Sequence, residues 1–143
     1  LSLADLLYAL IVGGGITGAE TALELAAAGK QVTVVEMLDR FLAKFSAVNP
    51  AYFEAIAKAG IKIITGKRLE KVEDKKAVIV DRYGNKEELE TDIIVISAGF
   101  EPQHQLAEEL DEFIEDVIEI GDGKQVRQIY DAIREGYAAA RNM

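Results

Sequence analysis

The feature that most narrows what this chain can fold into is the run Gly13-Gly14-Gly15-Ile16-Thr17-Gly18, which cuts off an apolar stretch from Tyr8 to Val12 and opens a segment of different period. An apolar run with aromatic and β-branched members that stops at a glycine triplet reads as a buried strand meeting a tight turn. From Ile16 onward, Ala19, Ala22, Leu23 and Ala26 share one helical face while Thr21 and Glu24 turn outward. Gly29 stands where a helix ends on a C′ glycine. Val32 to Val35 is a second continuous apolar run, closed by Glu36. Strand, glycine turn, helix and strand follow one another, which is a βαβ unit.

Within that context Gly13-x-Gly15-x-x-Gly18 becomes specific, because the glycines lie between strand and helix and an acid ends the next strand. Gly13 permits the tight turn, Gly15 lets backbone approach a pyrophosphate, and Gly18 lets helix and strand pack closely. The helix N-terminus supplies N–H groups and partial positive charge, so phosphates are bound without basic side chains. The composition requires such a device: the net charge is −9 and the sequence pI about 4.7. That balance argues against nucleic acid or an anionic membrane as partner. Glu36 is expected to accept hydrogen bonds from the adenosine ribose hydroxyls and to repel a 2′-phosphate, favouring NAD(H) over NADP(H). Arg40 and Lys44 lie close enough in sequence to soften that repulsion.

Beyond Glu36 the same reasoning gives more α/β structure. Asn49-Pro50 can cap and start a second helix through Ala51, Ala55, Ile56 and Ala59, ending at Gly60, with Ile61 to Thr65 as a third strand. From Arg68 to Thr91 the helical period vanishes, and Ala77 to Val80 with a turn at Tyr83-Gly84-Asn85 reads as a small antiparallel meander. Ile93 to Ile96 and Val117 to Ile120 are read as further strands, and a last helix runs from about Val126 to Arg141. In the loop Met37 to Val48, Phe41, Leu42 and Phe45 are spaced like one face of a short helix and read as core contacts. The acidic cluster Glu108, Glu109, Asp111 and Glu112 reads as a solvated face. The expected fold is a Rossmann-type three-layer α/β domain, with a parallel sheet whose order starts 3-2-1 and the meander at one side.

The chain has no cysteine and one histidine, so thiolate or His-rich metal sites and disulfides are excluded, and no metal site or catalytic residue is expected. The apolar run Leu6 to Val12 is too short to span a bilayer, so a soluble cytoplasmic protein is expected.

Gly13-Gly14-Gly15-Ile16-Thr17-Gly18-Ala19-Glu20, continuing to Val32-Thr33-Val34-Val35-Glu36, resembles the NADH-binding domain of the pyridine-nucleotide-disulfide oxidoreductase family. Within that family it most resembles the C-terminal half of 2-enoate and dienoyl-CoA reductases, flavoenzymes related to old yellow enzyme. Ile93 to Pro102 resembles the strand and glycine-proline turn that close the nucleotide domain, and Ile120-Gly121-Asp122 the strand whose Asp contacts the FAD ribityl chain. The resemblance implies Gly13, Gly15 and Gly18 at the pyrophosphate, Ile16 and Glu20 toward the nicotinamide, and Glu36 on the ribose. It also adds Gly14, Thr17, Met37, Gly99, Gly121 and Asp122 to the cofactor-binding set. The chain holds one glycine motif where the family has two, which implies a flavin only with a missing domain or partner and points to an excised, degenerate or engineered piece. Residues 1–143 are expected to form one dinucleotide-binding domain, with 1–115 as its core and 116–143 as the C-terminal piece of an FAD domain. The implied activity is to position NADH for hydride transfer to a flavin. The alternatives are a stand-alone NAD-sensing module or an FAD-binding one.

Overall fold

The computed structural model describes residues 6–43 and 50–142, which divide into two compact units at the junction of Gly99 and Phe100. The first unit contains β1 (Tyr8–Val12), α1 (Ile16–Ala27), β2 (Gln31–Glu36), α2 (Ala51–Lys58), β3 (Lys62–Thr65), β4 (Lys67–Glu73), β5 (Lys76–Asp81), β6 (Lys86–Glu90) and β7 (Ile93–Ile96). The parallel sheet has the order β3-β2-β1-β7, and β4-β5-β6 form a separate antiparallel sheet. This is the expected α/β fold.

The sheet register explains why β1 and β2 are apolar throughout. Ile11 pairs with Val34 and Val95, whereas Leu10 pairs with Thr33 and Ile94. Successive side chains leave a strand on opposite faces. Ala9, Ile11, Val32 and Val34 accordingly pack with Ala19 and Ala22 of α1 and Ile56 of α2. Leu10 and Val35 pack on the other face with Ala77 and Ile79 of β5. Both faces are dry, so helices, parallel sheet and meander make three layers. Leu10, Ile11, Val34, Val35 and Ile79 are the largest fully buried side chains, each worth about 1.5–3 kcal/mol by burial.

Several expectations shift. The second helix begins at Ala51, with Pro50 in helical geometry and its C=O accepting the Glu54 N–H at 3.3 Å. Asn49, Lys44 and Phe45 lie outside the described residues. Phe41 and Leu42 are buried core contacts, as read, but they sit in a turn rather than a short helix. Leu42 has φ +57°, a value incompatible with continuing a right-handed helix.

The second unit contains α3 (Gln105–Asp111), a 3₁₀ turn at Gly121–Gly123 and α4 (Ile129–Asn142). Val117 to Ile120 is not a strand: Ile120 is extended, but no ladder partner is present among the described residues, and β-structure needs a partner. The last helix starts at Ile129 rather than Val126. Its start is set by Asp131, whose carboxylate accepts the Gln128 N–H at 3.3 Å in the manner of a capping box. Helix α3 has no counterpart in the sequence reading; it is short, has no buried residue and carries most of the acidic cluster on its exposed surface. Among the described residues no helix is long and apolar enough to cross a membrane.

Candidate functional site

The glycine turn lies at the carboxyl ends of β1, β2 and β7, where each glycine answers to a different neighbour. Gly13 has φ +113°, its N–H donates to the Val35 C=O at 2.8 Å, and a Cβ there would stand 2.2 Å from the Ser97 carbonyl oxygen. Ser97 is held in place by its own N–H, which donates to the Val12 C=O at 2.7 Å. A Cβ on Gly18 would lie 2.0 Å from the Gly13 carbonyl oxygen, so α1 approaches the turn only because that atom is missing. Gly15 has nothing within 4 Å of the corresponding position. The space above it is open.

Gly15 is also the N-cap of α1, with no side chain bonded to the cap and no acid in the first helical turn. The first intrahelical bond at this end runs from the Ala19 N–H to the Gly15 C=O at 2.9 Å. The N–H groups of Ile16, Thr17 and Gly18 precede it, as at any helix start. An anion at Gly15 would meet oriented donors and the positive helix end without competition from a capping side chain.

Glu36, at the end of β2, is 9% exposed. Its Oε2 accepts the Gly14 N–H and its Oε1 the Leu38 N–H, each at 2.7 Å. Met37 beside it is exposed. Ile16 is half-buried against the core, whereas Thr17 is exposed and its C=O accepts the Thr21 hydroxyl at 2.8 Å. Glu20 is exposed one turn into α1, and its carboxylate accepts the Tyr52 hydroxyl from α2 at 2.8 Å. That bond, with some burial, raises the Tyr52 phenol above its ordinary pKa. Gly99, with φ +99°, follows β7 and is exposed. The structure thus gathers Gly13, Gly14, Gly15, Ile16, Thr17, Gly18, Glu36 and Met37 around one turn. Sequence reasoning did not reveal Tyr52 or the Leu38 and Leu42 amides, which act through tertiary proximity and backbone groups that leave no residue-type signal.

Gly121 and Asp122 belong to the second unit. Gly121 has φ +62° and is buried, and its N–H donates to Glu135 Oε2 at 2.8 Å. Asp122 Oδ1 accepts the Arg127 N–H at 3.2 Å. The Arg127 guanidinium, followed by the Gly121 N–H, holds the Glu135 carboxyl below its usual range.

The profile of the family described as "Pyridine nucleotide-disulphide oxidoreductase" matches residues 3–130. The chain belongs to that family. Membership agrees with the glycine turn, the meander and the sheet order just described. This family member is 32% identical over 133 residues to a "Bilirubin reductase" of Mediterraneibacter gnavus (strain CC55_001C), covering 92% of this chain and 21% of the relative. It is 30% identical over 133 residues to an "NADH oxidase" of Thermoanaerobacter brockii, covering 92% of this chain and 20% of that protein. Among solved structures it is similar to a 2-naphthoyl-CoA reductase in complex with 2-naphthoyl-CoA, with a TM-score of 0.75 and 27% identity over 91% of this chain and 20% of that one. The chain therefore spans about a fifth of the length of the curated relatives it matches.

Proposed function

We propose that the chain is the NAD(H)-binding part of a flavin-dependent oxidoreductase of the 2-enoate or dienoyl-CoA reductase type, acting in the cytoplasm. The observation that carries this reading is the open, uncapped start of α1 above Gly15, with the Glu36 carboxylate beside the same turn. Gly15 to Gly18 bind the pyrophosphate through backbone N–H groups, and Glu36 meets the adenosine ribose with the lone pairs its two amide partners leave unused. Met37 lies against the adenine, while Ile16 and Glu20 face the nicotinamide end. Bound NADH supplies hydride, and the protein supplies its orientation toward an acceptor flavin.

Residues 1–115 hold the nucleotide-binding core in this reading, closed by the turn that contains Gly99, and 116–143, with Gly121 and Asp122, go with the flavin-carrying part. α4 supports that division, because Ile129, Tyr130, Ile133 and Tyr137 are each at least 65% exposed. A contiguous apolar stripe on one helix marks a surface built to be covered. The name of the Thermoanaerobacter brockii relative supports NADH as the donor.

Calorimetric titration of the chain with NADH, NADPH and FAD in parallel tests the proposal. NADH binding in preference to NADPH, without FAD uptake, is the expected result. Preference for FAD, or no dinucleotide binding, overturns it. Glu36→Ala is expected to weaken NADH binding by about 1–3 kcal/mol through lost hydrogen bonds.

A further inference from the structure

Glu36 carries more contacts than a ribose acceptor needs. Its two carboxylate oxygens receive N–H groups from separate segments, Gly14 in the glycine turn and Leu38 in the chain after β2. The Leu42 N–H donates to the Gly14 C=O at 2.8 Å, and the Gly66 N–H donates to the Leu38 C=O at 2.9 Å. A Cβ on Gly14 would come within 2.8 Å of the Phe41 ring and 3.0 Å of the Glu36 Cβ, so the turn and the 38–42 segment are in direct contact. Leu42 adopts φ +57° while 3% exposed, a costly conformation for a branched aliphatic residue. Such strain persists where surrounding contacts over-determine it, and it concentrates at ligand sites. A buried carboxylate with one partner removed would be poorly compensated, so the clasp and the charge depend on each other.

We infer that Glu36 is a positioning residue that clasps the glycine turn to the 38–42 segment, as well as the ribose acceptor. The inference rests on the nucleotide-binding reading for its second half only. A turn clasped in this way is shaped by the chain's own contacts, which leaves little ordering for a ligand to drive. Specificity follows from the same geometry. Removing the charge at position 36 does not open a 2′-phosphate site, because it releases the backbone that shapes the turn for either dinucleotide.

Amide hydrogen exchange by NMR on the full chain without nucleotide, combined with titration by NADH and NADPH, tests the clasp. In the unsubstituted chain, the Gly14 and Leu38 amides are expected to exchange at least tenfold more slowly than unstructured peptide. Glu36→Gln keeps the size but presents an NH₂ donor to one of two N–H donors. It is expected to speed exchange of Gly14 or Leu38 at least tenfold, leave the Ile11 and Val34 amides unchanged, and weaken NADH binding without a gain for NADPH. Exchange of Gly14 and Leu38 at free-peptide rates in the unsubstituted chain overturns the clasp, whatever the variant does. Tighter NADPH binding by Glu36→Gln with both amides still protected overturns it as well. Protected amides that the variant releases, in a chain that binds neither dinucleotide, support the clasp and instead refute the nucleotide reading.

Discussion

Gly15 and Gly18 belong to one motif, yet their surroundings predict opposite consequences for the same substitution. Gly15 has φ −78° and ψ −175°, which alanine adopts freely, and open space at its Cβ position. Gly15→Ala is expected to leave stability within about 0.5 kcal/mol, as for a substitution away from packed features. On the proposed function it is expected to weaken NADH binding at least about tenfold, because the methyl group fills the open space assigned there to the pyrophosphate. Gly18→Ala places its methyl group 2.0 Å from the Gly13 oxygen. That overlap is expected to cost about 1–3 kcal/mol or more of fold stability as α1 is pushed from β1. Thermal melts beside NADH titrations separate the two; equal destabilisation by both would refute the distinct tasks. The motif could be read from sequence because glycine is chosen for steric reasons that depend on local spacing. The Tyr52 bond to Glu20 could not, since nothing local links positions in two different helices.

Elements built on continuous apolar runs were legible for a related reason. Val32 to Val35 has too few polar groups for a surface strand, so two covered faces and a parallel sheet follow. Val117 to Ile120 carries a similar signal, but a run of apolar residues says nothing about whether a neighbouring strand is there to pair with. α3 was invisible because seven residues with no buried side chain leave too little periodicity to detect. Within the sheet, Ile11→Ala removes a fully buried side chain between β2, β7 and the helices, and is expected to lower stability by about 2–5 kcal/mol in chemical denaturation. Where β1 begins, the Asp92 carboxylate accepts the Leu7 and Tyr8 N–H groups at 2.8 and 2.9 Å. These bonds, that from Tyr8 foremost, hold its pKa below the ordinary aspartate value. Because the folded value lies below the unfolded one, the contribution is complete above the usual aspartate range, near pH 4, and fades as pH falls through the folded value. Asp92→Ala is therefore expected to flatten the acid limb of the stability curve while changing its slope little near pH 7. An unchanged acid limb would show that the carboxylate does not brace β1.

At the scale of the whole molecule, the two units differ in how much of their own apolar surface they bury. The first unit closes a core on both faces of its parallel sheet. In the second, neither α3 nor α4 has a buried residue, and Phe100, Phe113 and Ile129 are each more than 80% exposed. Local stability follows buried apolar contact, so opening is expected to cost far less in the second unit. Limited proteolysis of the chain should cut first within residues 100–142 and leave a core ending near Gly99 that still melts cooperatively. Ion pairs do not offset the difference: Arg127 and Glu135 form a partly exposed pair, and such pairs contribute little in water. The proposed function has a flavin-carrying part cover Ile129, Tyr130, Ile133 and Tyr137, and adding it is expected to slow those cuts, since binding to the folded form alone raises its apparent stability. Ile133→Glu should abolish that protection without altering NADH binding by the first unit, because it places a charge in the covered stripe and touches nothing in the glycine turn. Protection that survives Ile133→Glu would show that the partner engages another surface.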